Sequence, residues 1–164
     1  MKAAFLDRDG VINIDYGYVG SIDRFEFKEG IFELLKLLQK KGYKLFIVTN
    51  QSGIARGYYS EDDFHNLMKY MIDELKKIDI EITDYKFCPH HPNITGECEC
   101  RKPKPGMILD LAKQYNIDIK NSIMIGDSLS DIKAAKNAGI KRSYLVKNSL
   151  FDIIYKLKKD ENEI

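Results

Sequence analysis

Neither sign of charge is in excess: 26 Lys and Arg stand against 25 Asp and Glu in 164 residues, a formal net charge of +1. Without a basic surplus nothing argues for a nucleic-acid or anionic-membrane partner, so any anion must be recognised locally. Long apolar runs are also lacking. None approaches the roughly 20 residues that cross a bilayer, and the first residues begin a strand-like pattern rather than a signal peptide, so the cytoplasm is the expected address. Cysteine is scarce. Cys88, Cys98 and Cys100 are an odd number crowded into one short loop beside His90 and His91, which suits metal binding better than a disulfide framework. Internal repeats and low-complexity segments are absent as well.

What is present fits one domain, residues 1–164, large enough to bury about two-thirds of its unfolded surface. Short apolar runs alternate with helical patterns, the order expected of an α/β domain around a mostly parallel sheet. Ala3 to Leu6, Leu45 to Val48, Ile123 to Ile125 and Tyr144 to Val146 read as buried strands. Polar residues gather where three of them stop, as DRDG, TNQSG and GDS, and open α/β sheets bind ligands at those carboxyl ends. The intervening helices are amphipathic: Ile31 to Leu38 with Gly42 as a stop, one capped by Ser60, one opening at Pro105, and one from Ser130 to Gly139. Leu150, Ile153, Ile154 and Leu157 make a last helix, and the charged end KLKKDENEI is expected to fray. The segments Asp9 to Glu29 and Ser52 to Ser60 are too short for an inserted domain, so the expected cap is minimal and the chain a monomer.

Asp7 and Asp9 flank Arg8 directly after the run AAFL. The period of two in an extended segment points both carboxylates to the same side, where one can be a nucleophile or metal ligand and the other an acid and base. Alone, such a pair reads equally well as a turn cap. Other residues favour the chemical reading. Thr49, Asn50, Gln51, Ser52 and Gly53 bring hydroxyl, amide and backbone donors suited to phosphate oxygens. Lys102, in RKPKPG, stands before two prolines that stiffen the chain ahead of a helix N-terminus. Asp127 and Asp131 place a second acidic cluster after a later strand, and with Asp7 they suit a hard cation such as Mg²⁺. Cys88 and His90, followed by Cys98 and Cys100, give three thiolates and one imidazole, a ligand set for structural Zn²⁺, with His91 left facing solvent.

DxD after strand one, Thr49 after strand two, Lys102 before a helix and GDxxxD after a later strand resemble, in that order, the four motifs of the haloacid dehalogenase superfamily of phosphatases. Within it, FLDRDGVIN, TNQSGIARGYY, CPHHP, CRKPKPGM and GDSLSD are similar to the D-glycero-D-manno-heptose 1,7-bisphosphate phosphatases, with histidinol-phosphate phosphatases as near relatives. The resemblance implies a three-layer Rossmann-like sandwich and Mg²⁺ bound by the side chains of Asp7 and Asp127 and the backbone carbonyl of Asp9, with Asp131 behind them. It implies an aspartyl-phosphate on Asp7, proton transfer by Asp9, a grip on the phosphoryl group by Thr49 and Lys102, and zinc on Cys88, His90, Cys98 and Cys100. The implied substrate is a small phosphorylated sugar, a heptose bisphosphate losing its C7 phosphate on the way to surface polysaccharide. Its expected contacts are Asp15, Tyr16, Gly17, Tyr18, Asn50, Gln51, Ser52 and Arg101. One position departs: Ser128 stands where many close family members carry lysine, which leaves the anomer open. Histidinol phosphate is the rival substrate. A phosphoryl-accepting signalling receiver, or a zinc-stabilised binding module without activity, would be readings of another class.

Overall fold

The computed structural model describes residues 1–161. Among them five parallel strands form one sheet in the order β3-β2-β1-β4-β5: β1 Ala3–Leu6, β2 Lys44–Asn50, β3 Ile82–Cys88, β4 Ile123–Gly126 and β5 Arg142–Leu145. Alternation along the strands divides the core into two layers. Ala4, Leu6, Leu45, Ile47, Ile123 and Ile125 pack beneath α1 (Ile31–Lys40), α2 (Glu61–Lys76) and α5 (Leu150–Glu161). Ala3, Phe5, Phe46, Val48 and Met124 pack beneath α3 (Gly106–Tyr115) and α4 (Leu129–Ala138). The expected three-layer sandwich is therefore the observed one. No helix among the described residues is long and apolar enough to cross a membrane.

The helix ends follow local chemistry. Ser60 and Asp63 exchange side-chain and backbone hydrogen bonds of 3.0 Å each, a reciprocal cap that fixes where α2 begins. Gly139 closes α4 in the left-handed conformation, φ 100°, a geometry that costs glycine little. α3 starts at Gly106, with Pro105 as its N-cap and not its first turn.

Three elements differ from the sequence reading. β3 was not expected. It lies at the sheet edge, and Asp84, Tyr85 and Lys86 in ITDYKFC break the continuous apolar run of a central strand. β5 begins at Arg142, two residues earlier than the apolar run. The charged end does not fray at Lys156: α5 continues to Glu161 because Leu157 is buried and Asp160 accepts a 3.0 Å bond from the Tyr144 hydroxyl. Residues 162–164, the rest of the expected frayed end, lie outside the described residues.

This topology places the site. The chain winds outward from β1 to β3, then returns to β1's other side with β4, and such a reversal opens a crevice over the strands' carboxyl ends. Between β1 and α1 the regular structure is a single short turn, Ile22–Arg24, consistent with a minimal cap.

Candidate active site

β1 and β4 are neighbours in register, Leu6 opposite Ile125, and the Asp7 N–H donates to the Ile125 carbonyl at 3.0 Å. The strands therefore release Asp7 and Asp127 side by side. Gly10 turns the chain beneath them at φ +89°, and a Cβ there would fall 1.9 Å from Asp127 Oδ2. Both the left-handed backbone and the missing side chain are required. Asp7, Asp127 and Asp131 each bring a carboxylate oxygen within 4.8 Å of the others.

Lys102 enters from the loop before α3 and is almost wholly buried. Its Nζ donates to Asp7 Oδ1 at 3.0 Å, Asp131 Oδ1 at 2.5 Å and the Val48 carbonyl at 2.9 Å, so every ammonium proton is used. Asn50 clamps its backbone: Oδ1 accepts from Lys102 N at 3.0 Å and Nδ2 donates to Lys102 O at 3.3 Å. Asp131 also accepts from the N–H groups of Asp127 and Ser128, at 3.1 and 3.2 Å, and so fixes the start of α4. It thus stands behind the cleft between Lys102 and the Asp127 backbone.

One ammonium does not balance these acids. Burial pushes the Asp7 carboxyl well above the usual carboxylate range, Lys102 opposes the shift, and the charges of Asp131, Asp127 and Asp9 reinforce it. Asp127 is raised too, again by burial first, with Asp7 pulling the other way. For Lys102 burial acts downward, but the Asp7 and Asp131 charges outweigh it and the ammonium is raised. Three acids facing one cation form an oxygen-rich site whose charge deficit a hard divalent ion fits.

Asp9 is braced from several sides. Its Oδ1 accepts from Arg8 Nη2 at 3.0 Å and Asn13 Nδ2 at 2.9 Å, and its Oδ2 from Gln51 Nε2 at 3.0 Å. Arg8 is fully buried and ties the next loop to this carboxylate, since the same Nη2 donates to the Val19 carbonyl at 2.6 Å. Sequence reasoning missed Arg8 and Asn13 as supports, although both lie within FLDRDGVIN.

A cleft of about 330 Å³ opens over these groups, and Asp15, Gly17, Tyr18, Asn50, Gln51 and Ser52 line it. Three expected contacts fall elsewhere. Tyr16 is exposed with its hydroxyl on Glu26. Thr49 is buried and its Oγ1 accepts from Gln51 Nε2 at 2.9 Å. Arg101 donates to the His90 carbonyl at 3.3 Å and lines a separate hollow beside Pro92 and Pro103. Ser128, Ser130 and Tyr59 also line the main cleft; Tyr59 ends the stretch TNQSGIARGYY, just before the Ser60 cap, and has no role in the sequence reading.

The cysteine loop departs from expectation in two respects. Cys88 and Cys100 are joined as a disulfide, with Cα atoms 5.5 Å apart, and Cys98 is free. That Cα spacing suits a disulfide and two ligands of one ion alike. The Cys98 sulfur is 3.4 Å from that of Cys88 and 3.5 Å from that of Cys100, so the three sulfurs do converge. His90 does not join them; its Nδ1 is 3.3 Å from Thr95 Oγ1. His91 is only partly exposed and accepts the Asn93 N–H at 3.2 Å.

A strand order of this kind, with acids at the ends of β1 and β4 and a lysine ahead of α3, defines a class of hydrolase. The family model of haloacid dehalogenase-like hydrolases matches residues 1–139, and the chain belongs to that family. Among its relatives, D-glycero-alpha-D-manno-heptose-1,7-bisphosphate 7-phosphatase of Campylobacter jejuni is 56% identical over 145 residues, covering 88% of this chain and 82% of the relative. D-glycero-beta-D-manno-heptose-1,7-bisphosphate 7-phosphatase of Haemophilus influenzae is 50% identical over 150 residues, 89% of this chain and 82% of the relative. The structure of D,D-heptose 1,7-bisphosphate phosphatase from B. bronchiseptica, complexed with magnesium and phosphate, aligns with a TM-score of 0.83 at 29% identity, over 98% of this chain and 99% of that one.

Proposed function

We propose that this chain is a Mg²⁺-dependent phosphatase that removes the C7 phosphate of D-glycero-D-manno-heptose 1,7-bisphosphate through an aspartyl-phosphate on Asp7. The observation that carries the chemistry is the convergence of Asp7, Asp127, Asp131 and Lys102 in one cleft. The substrate rests on relatives of that name at 50 and 56% identity. Asp7, Asp127 and the Asp9 carbonyl are the groups that would hold Mg²⁺, which when bound supplies positive charge against the repulsion between a phosphate dianion and a carboxylate.

Asp7 attacks phosphorus as the bond to the sugar oxygen breaks. Asp9 gives that oxygen a proton, then takes one from the water that attacks the aspartyl-phosphate and frees Asp7 and inorganic phosphate. Lys102 holds the Asp7 carboxylate and faces the charge that develops on the phosphoryl oxygens, while the Asn50 to Ser52 segment borders the space they occupy and Thr49 holds Gln51 from behind. Asp15, Gly17 and Tyr18, which line the cleft, contact the rest of the sugar.

With the purified protein and Mg²⁺, kcat/KM for the heptose bisphosphate should exceed that for histidinol phosphate by about 100-fold or more, the discrimination available when polar groups of a site lose their partners. Phosphorus NMR should find the C1 phosphate retained. A preference for histidinol phosphate, or release of the C1 phosphate, would overturn the assignment. Parallel rates on the two anomers will decide what Ser128 permits.

The same reading includes a structural Zn²⁺ on Cys88, Cys98, Cys100 and His90. Three sulfurs around one tetrahedral ion stand about 3.8 Å apart, near the 3.4 and 3.5 Å at Cys98. His90, whose Nδ1 meets Thr95 Oγ1 at 3.3 Å in the exposed loop, would supply the fourth ligand. Protein prepared under reducing conditions should contain about one equivalent of zinc, and chelation should lower its melting temperature and expose three titratable thiols. A zinc-free protein with one thiol and a Cys88–Cys100 disulfide would rule the ion out.

A further inference from the structure

Tyr59 lies at the cleft's edge, on the residue before the Ser60 cap of α2, and its surroundings are built to receive it. A Cβ on Gly20 would fall 2.3 Å from the Tyr59 Cγ, and one on Gly53 2.3 Å from its Cε1. Neither glycine has left-handed backbone, so their conformations suit any residue and only the space for the ring requires glycine. Gly20 belongs to the loop after β1 and Gly53 to the loop after β2. The ring is therefore wedged between the two loops that border the cleft.

Its hydroxyl meets Gln51 Oε1. Gln51 is 2% exposed, and its Nε2 donates to Asp9 Oδ2 at 3.0 Å and to Thr49 Oγ1 at 2.9 Å. The two ends of a glutamine amide differ only in what they bond. Burial, opposed by Arg8 and reinforced by the Asp9 charge, pushes the Tyr59 phenol up to about 12. The phenol therefore keeps a proton to donate to Oε1 while the Asp9 carboxylate can only accept from Nε2, so the observed amide orientation satisfies both neighbours at once. A flipped amide would set Oε1 against a carboxylate oxygen.

We propose that Tyr59 is a positioning residue for proton transfer: wedged between Gly20 and Gly53, it locks Gln51 in the orientation that donates to Asp9 and so holds the Asp9 carboxyl in place. This rests on Asp9 as the acid that protonates the leaving oxygen. α2 supplies the rigidity, since its reciprocal cap fixes Tyr59 and the hydrogen bonds carry that position to the reacting group.

Tyr59→Phe keeps the ring and removes the hydroxyl. The first step alone is read from the burst of leaving group, once with an alkyl phosphate, whose oxygen needs a proton, and once with p-nitrophenyl phosphate, whose oxygen does not. With the alkyl ester the burst rate should fall about 5- to 10-fold, the effect of one lost hydrogen bond of roughly 1 kcal/mol. With the aryl ester it should stay within about 2-fold, and KM should hardly move for either. Gly53→Ala, which displaces the ring, should give the same split if its melting curve remains cooperative. Asp9→Asn is the control for the underlying assignment and should give a larger split of the same kind. If Asp9→Asn discriminates between the esters and Tyr59→Phe slows both equally or neither, the positioning role is wrong and the acid stands. If Asp9→Asn slows both equally, the acid assignment fails and the role of Tyr59 fails with it.

Discussion

Asp7→Asn is expected to lower turnover by about 10⁴-fold or more while leaving the protein folded and, without metal, at least as stable as the parent. The amide has nearly the carboxylate's shape but cannot form the acyl phosphate, and loss of the nucleophile removes the covalent route altogether. The stability expectation follows from the direction of the Asp7 shift. Burial raises its folded-state pKa. As pH rises through the unfolded value, near 3.9, the unfolded chain ionises first, and stability is lost progressively up to the folded pKa. At neutral pH the metal-free protein therefore bears the cost of a buried, crowded carboxylate, which Asn avoids. Lys102 keeps Asp131 as its partner. Two measurements decide the matter: steady-state rates with Mg²⁺, and melting curves with and without it. The parent should gain more from Mg²⁺ than the variant, because the variant lacks one charged ligand. Turnover within about 10-fold of the parent's would refute the nucleophile assignment. A phosphoenzyme that outlasts many substrate additions in the parent would instead favour a receiver.

The site residues were legible because their chemistry interrupts apolar patterns at strand ends. Asp7 after AAFL, Thr49 after LFIV and Asp127 after IMIG could be placed before any coordinates, since a parallel sheet puts its strands' carboxyl ends together. That β1 and β4 are adjacent could not, because strand order depends on which faces pack and no local pattern encodes it. The hydrogen-bond partners of several polar residues were not legible either. Thr49 and Asn50 read as phosphate contacts; in the folded chain Thr49 is buried and bonds Gln51, while Asn50 lines the cleft and also clamps Lys102, 52 residues away. Arg8 was given no role beyond being flanked by two acids; it is buried and joins Asp9 to Val19. Cys88 sits at the end of a strand that the sequence hid, which is why its approach to Cys98 and Cys100 was readable as composition but not as geometry.

Lys102→Met separates what holds this site together from what drives its chemistry. Methionine approximates the stem's length and loses the charge, leaving Asp7 and Asp131 facing each other without a cation and the Val48 carbonyl without its donor. Removing one member of a buried ion pair typically costs about 3–5 kcal/mol. Both acids here are largely shielded, their side chains 14% and 1% exposed, so a destabilisation in that range is expected, together with a fall in kcat of about 10³-fold from lost phosphoryl stabilisation. Lys102→Arg should not rescue either property, because a branched guanidinium cannot occupy a space that an ammonium fills with three short contacts. Adding Asp131→Asn discriminates the two roles. In the double variant the repulsion is gone, so stability should recover by about 1–3 kcal/mol relative to Lys102→Met, a coupling of the size found between directly contacting residues. Activity should not recover with it, since Asp7 still lacks the cation that shares its oxygen and the phosphoryl group still lacks a countercharge. Recovery of both together would mean that Lys102 matters only as a partner for Asp131, and recovery of neither would mean that the fixed start of α4, which Asp131 secures through the Asp127 and Ser128 N–H groups, is worth more than the charge balance.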